Sequence, residues 1–184
     1  MENKLANKKV AVVVTNGFED SEFNEPLKAL KQAGATVDVI SLKKGTIRSW
    51  MGKDWGKDYE VDRSIDEVDA KEYDALVLPG GVMNPDQLRT NEAVVGFVAG
   101  FFDDGKPIAA ICHGPWTLIE TGELKGRTVT SYPSLKTDLT NAGANWVDQE
   151  VVVDNGLVTS RTPKDLPAFC NKMVEEFAEG VHQE

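Results

Sequence analysis

Short apolar runs closed by turn signals alternate along this chain with amphipathic stretches of helical length, and that alternation leaves few folds open. "KKVAVVV", residues 8–14, is β-branched almost throughout, as suits a strand covered on both faces. "ATVDVISL", "YDALVLPGG" and "KPIAAIC" repeat the theme. Between the first two runs, Asn24 is positioned to cap a helix with Pro26 in its first turn and Gly34 at its end. "EAVVGFVAGFFDDG" predicts a helix ending at Gly105, and "GPWTLIETG" a short one with Pro115 near its start. Residues 45–62, with Gly52 and Gly56, read as a hairpin excursion. Further on, the pattern predicts a strand over residues 128–131 and a helix over 135–142. A hairpin in "DQEVVVDNGLVTS" turns at Asn155-Gly156, and a helix starts at Pro163. Strand–helix alternation of this kind builds a parallel sheet with helices on both faces. The expectation is an α/β protein, one doubly wound domain over residues 1–184 with no repeat or linker.

Charge narrows the function classes. A formal net charge of -10 disfavours nucleic acid and anionic membrane, since both reward a basic surface. No apolar run approaches the ~20 residues of a membrane helix. Residues 1–9 are polar and lysine-rich, with no apolar h-region, which points to the cytoplasm. Cys112 and Cys170 are expected to stay reduced there. The two histidines, His113 and His182, show no paired ligand spacing, so no metal is expected.

Ligands in doubly wound sheets bind beyond the carboxyl ends of strands. Three loops leave such ends, at residues 15–22, 80–86 and 112–115, and they hold the unusual residues. Cys112, in "AAICHGPW", reads either as a small core residue or as a nucleophile on a tight strand-to-helix elbow. Gly114 and the adjoining helix start favour the second reading, because a helix N-terminus favours thiolate. His113 is adjacent, and neighbouring residues seldom point the same way, but its backbone N–H could serve an oxyanion hole. Gly80-Gly81 could offer another N–H. "GFEDSEF" supplies Glu19, Asp20 and Glu22; Asp20 is left with the helix dipole. Asp86, in "NPDQL", reads as a helix cap or as the carboxylate that orients His113. Tyr132 and Pro133 could rim the same cleft. Trp50, Trp55 and Trp116 read as core or interface aromatics, and Cys170 as packing on a stripe with Phe169, Met173 and Phe177. His182 falls in an acidic, frayed tail with no role.

"FEDSE", "DALVLPGG", "GKPIAAICHGPW", "GRTVTSYPS", "NAGANWVDQEVVVD" and "LVTSRTPKDLPAF" together resemble the PfpI-type branch of the ThiJ/PfpI superfamily. The resemblance implies a flavodoxin-like three-layer α/β sandwich with a central, mostly parallel sheet, like that of class I glutamine amidotransferases. It implies a homodimer, sometimes a hexamer, with no metal or organic cofactor. Carried over, Cys112 is the nucleophile and His113 its histidine. Glu22 and Glu19 both fit the acid near the sulfur. Asp86 stands where a neighbouring subunit supplies a triad carboxylate, often Glu in the family. Gly81 and His113 match the oxyanion hole, and Tyr132 the pocket rim. Residues 45–62 depart most from the pattern.

Three activities are then open. Cys112 could attack reactive dicarbonyls, either small free molecules or their adducts on glycated proteins, as a glyoxalase or deglycase with a stress-protective role. An intracellular cysteine peptidase would use Cys112 and His113, with an acid from another subunit. A redox-sensing stress protein would instead be oxidised at Cys112. Dicarbonyl chemistry ranks first because it needs only a small pocket.

Overall fold

In the computed structural model, which describes residues 3–182, the first half of the chain runs β1 (Lys9–Val13), β2 (Phe18–Glu19), α1 (Asp20–Gln32), β3 (Thr36–Ser41), β4 (Gly45–Met51), β5 (Asp54–Val61), β6 (Arg63–Ser64), β7 (Ala75–Leu78) and α2 (Met83–Leu88). It continues through α3 (Glu92–Asp103), β8 (Ile108–Ile111), α4 (Pro115–Ile119), β9 (Thr128–Val129), α5 (Lys136–Asn141) and β10 (Asn145–Trp146). The last elements are β11 (Val152–Asp154), β12 (Leu157–Ser160) and α6 (Leu166–Glu179). Seven strands form the central sheet in the order β11-β12-β8-β7-β1-β3-β6. All pairs are parallel except β11 with β12.

The two faces of each strand go to different cores, as the period of two requires. Val10, Val12, Val77, Ala109 and Ile111 pack with Phe23 of α1 and Phe169 and Phe177 of α6. Ala11, Val13, Leu76, Leu78 and Ala110 face Val94, Phe101, Leu118 and Leu139 of α3, α4 and α5. The result is the expected three-layer sandwich with a mostly parallel sheet. The hairpin of β4 and β5 stands apart from that sheet, with a bulge between Arg48 and Trp50. Among the described residues, no helix is long and apolar enough to cross a membrane.

Several local expectations change. α1 begins at Asp20 with Glu19 as its N-cap, so Pro26 lies inside the helix and Asn24 caps nothing. The Asn24 amide instead donates to Asp20 Oδ2 (2.8 Å) and to the Tyr59 hydroxyl (2.6 Å). Pairing of Phe18 and Glu19 with Ser49 and Trp50 sets the start of the helix, and that tertiary contact has no local signature. An interior proline costs about 3 kcal/mol, but burial of Phe23 and Leu30 returns about 1.5–3 kcal/mol each, so packing wins. The strand expected over residues 128–131 ends at Val129 and pairs with β10 in a separate two-stranded sheet. His182 is not frayed: its N–H donates to the Gly105 carbonyl (2.8 Å), and Nε2 lies 3.2 Å from Glu176 Oε2.

Candidate active site

β1 lies between β3 and β7, so the chain leaves it toward one side and returns on the other. The crevice at such a switch point collects the loops that follow β1 and β7, and β8 brings a third alongside. The three loops picked out by sequence therefore meet. Gly81 (φ 75°) and Gly80 make the closeness possible. A Cβ on Gly81 would sit 2.5 Å from the Gly17 carbonyl, and one on Gly80 would sit 2.6 Å from Glu22 Oε1 and 2.7 Å from Cys112 Cβ.

Cys112 follows β8 directly and has φ 62°, a left-handed conformation that is strained for a non-glycine residue. Two hydrogen bonds hold it there. Its N–H donates to the Ser160 carbonyl of β12 (3.0 Å), and its carbonyl accepts from the Tyr132 N–H (2.9 Å). The turn swings Sγ, almost wholly buried, toward the other two loops. Against the sequence expectation, the adjacent His113 does reach it, with Nδ1 3.2 Å from Sγ. The far ring nitrogen, Nε2, lies 3.3 Å from Ser134 Oγ. Tyr132, partly exposed, stacks on the imidazole with ring centroids 4.7 Å apart. Trp116 meets the same ring edge-on at 5.1 Å while its Nε1 donates to Asp138 (2.9 Å), so it borders the site as well as packing against the core.

The two acids left open by the sequence part ways here. Glu22 is fully buried and its carboxyl faces the Cys112 thiol and the Gly80 and Gly81 amides. Neither oxygen closes a hydrogen bond of ordinary geometry; such contacts tighten when a reacting group enters. Glu19 lies further out, accepting from the Ser21 hydroxyl at 3.4 Å. Asp86 lies exposed in α2, and neither capping nor orienting is its role within the chain. Val82 is the N-cap of that helix, and Ser134, not a carboxylate, stands at His113 Nε2.

Burial, reinforced by the Glu19 charge, raises Glu22 to about 8, so it keeps its proton at neutral pH. Burial also pushes the Cys112 thiol up, and an ionised Glu22 adds to that; the Gly81 and His113 N–H groups pull the other way. Burial thus outweighs the pull expected of the helix N-terminus. Burial lowers His113, which keeps the imidazole neutral.

The model of the DJ-1/PfpI family matches residues 8–176. The chain belongs to that family. General stress protein 18 of Bacillus subtilis is 51% identical over 163 residues, covering 88% of this chain and 93% of that one. Protein/nucleic acid deglycase 2 of Escherichia coli is 48% identical over 164 residues, covering 89% and 94%. Among solved structures, a two-domain protein from Anabaena variabilis with DJ-1/ThiJ/PfpI-like and ferritin-like domains superposes with a TM-score of 0.86 at 39% identity. That match covers 92% of this chain, which spans about half, 48%, of the two-domain protein.

For this DJ-1/PfpI chain the site unites a thiol, a protonated carboxyl, a neutral imidazole and two backbone donors. Such a set can add sulfur to a carbonyl carbon, hold the resulting oxyanion and move protons around it. Sequence reasoning missed Ser134 and the placement of Trp116. Ser134 lies two residues beyond Tyr132 within "SYPS", and that proximity was the one available signal.

Proposed function

We propose that the protein is a Cys112-dependent enzyme acting on reactive dicarbonyls such as methylglyoxal, free or as adducts on amines, in a stress-protective role. The observation that carries this reading is the convergence of the Cys112 thiol, the His113 imidazole 3.2 Å from it and the fully buried Glu22 carboxyl beside Gly80. Sulfur adds to the aldehyde carbon while the thiol proton passes to the carbonyl oxygen, giving a hemithioacetal. His113, neutral and 3.2 Å from the sulfur, then takes the proton from that carbon, and Glu22 protonates the neighbouring oxygen to form an enediol. His113 returns its proton to the adjacent carbon while the hydroxyl on the sulfur-bearing carbon gives its proton to Glu22, which leaves a thioester; water then cleaves it to a hydroxy acid and the free thiol. The Gly81 and His113 N–H groups are the oxyanion donors, and Tyr132 borders the entering substrate. The deglycase named in Escherichia coli and the stress protein named in Bacillus subtilis support the same reading. Peptidase chemistry fits less well, because it calls for an ionised Cys–His pair and the partner at Nε2 is a hydroxyl. A homodimer in the cytoplasm is part of the proposal, tested by light scattering and cell fractionation. The deciding assay follows methylglyoxal in amine-free buffer. Lactate from the wild type, with a loss of at least about 1000-fold in Cys112→Ala, supports the reading; no lactate from either sinks it.

A further inference from the structure

Beyond the groups that touch the sulfur, we infer that Asn84 is the positioning residue of this site, one side-chain amide that sets the direction of both Gly80 and Gly81 N–H groups. Asn84 is fully buried in α2 and uses both ends of its amide. Nδ2 donates to the Pro79 carbonyl (3.0 Å) and to the Gly80 carbonyl (3.0 Å), while Oδ1 accepts from the Thr15 N–H (2.8 Å). Two acceptors on one side and a donor on the other leave a single consistent orientation for the amide.

Planarity of the peptide bond transmits this hold. In a trans peptide the C=O and the following N–H point in opposite directions. Fixing the Pro79 carbonyl on Asn84 therefore turns the Gly80 N–H away from Asn84, and fixing the Gly80 carbonyl does the same for the Gly81 N–H. Away from Asn84 lies the site, where both amides face Glu22 and the Gly81 amide also faces the Cys112 sulfur. Glycines place little restraint of their own on such peptide planes. The bond to Thr15 ties the loop after β1 to the same anchor. Asn84 thus clamps two of the three loops and is itself remote from the reacting atoms.

This role deepens the dicarbonyl reading, but its test does not depend on it. Iodoacetamide labelling of Cys112, followed by peptide mass across pH, reports the thiolate directly. In Asn84→Ala the Gly81 donor is no longer aimed at the sulfur, so the apparent pKa of Cys112 is expected to rise by about one unit, with about tenfold slower labelling below it. Turnover of methylglyoxal is expected to lose about 10- to 100-fold in kcat with KM little changed. A folded Asn84→Ala protein whose labelling profile superimposes on the wild type overturns the inference. Should that variant not fold, the wild type still answers: through-hydrogen-bond NMR couplings from Asn84 Nδ2 to the Pro79 and Gly80 carbonyl carbons are expected, and their absence overturns it. If no variant or wild type makes lactate, the dicarbonyl reading fails alone, and the labelling shift still decides for or against Asn84.

Discussion

Cys112 and Cys170 are both free thiols, both sheltered from solvent, and burial pushes both upward, Cys170 to about 12. They differ in what surrounds the sulfur. Cys170 lies in the regular turn of α6, packed beside the core that Phe169 and Met173 build, with Glu25 as its charged neighbour. Around Cys112 converge a protonated carboxyl, an imidazole and two backbone donors, and the backbone that carries it is left-handed. Burial alone therefore does not separate a packing cysteine from a reactive one. The polar groups aimed at the sulfur separate them, and each can be removed singly.

Among variants that keep the thiol, the largest loss of turnover is expected from Gly80→Ala, which would drive a methyl group against Glu22, Cys112 and the Ile111 carbonyl. Overpacking of this kind costs about 1–3 kcal/mol of stability, and displacement of the thiol costs on the order of 100-fold in kcat/KM. Thermal unfolding and dicarbonyl turnover measure the two effects. A variant with wild-type turnover would break the idea that close loop contact makes the site.

Glu22→Gln sharpens the comparison through pH. Below about pH 4.5 the folded and unfolded chains both hold the Glu22 proton; between there and about 8 only the folded chain does. The native state then binds more protons, so wild-type stability falls as pH rises through that window. Gln removes this slope. The variant is expected to be the more stable protein at pH 8, by several kcal/mol at about 1.4 kcal/mol per pH unit, with the gap closing toward pH 4.5. Its activity is expected to be lower and to lack the decline above pH 8 that ionisation of Glu22 is expected to give the wild type. Denaturant melts at four pH values, alongside rates, check both. Cys170→Ala should do least: a stability loss of about 1 kcal/mol or less, read from the urea midpoint, and unchanged turnover. A dead Cys170→Ala enzyme would end the comparison.

Sheet strands were legible because their apolar runs are unbroken: "KKVAVVV", "DALVLP" and "KPIAAI" contain β1, β7 and β8. The hairpin of residues 45–62 followed from its glycines. Illegible were features fixed from a distance. α1 starts where β2 pairs with β4, and the choice between Glu19 and Glu22 depends on which turn of that helix faces Gly80. Asp86 and Ser134 show the same limit: spacing left Asp86 between a helix cap and a partner of His113, and the resemblance gave it to a neighbouring subunit's imidazole, whereas within one chain a serine stands at that ring. Asn84 carries no motif at all. Its importance lies in three hydrogen bonds to backbone, which no residue pattern announces.

The position of β8 in the sheet has a consequence for biosynthesis. Glu22 and Gly81 leave the ribosome well before Cys112, and β8 must then slot between β7 and β12, the last strand to be made. Until Ser160 has emerged to accept from the Cys112 N–H, only one of the two hydrogen bonds that hold the left-handed turn, the one from the Tyr132 N–H, can form. The turn that carries Cys112 is therefore fully held only when the last strand of the sheet is in place, late in synthesis.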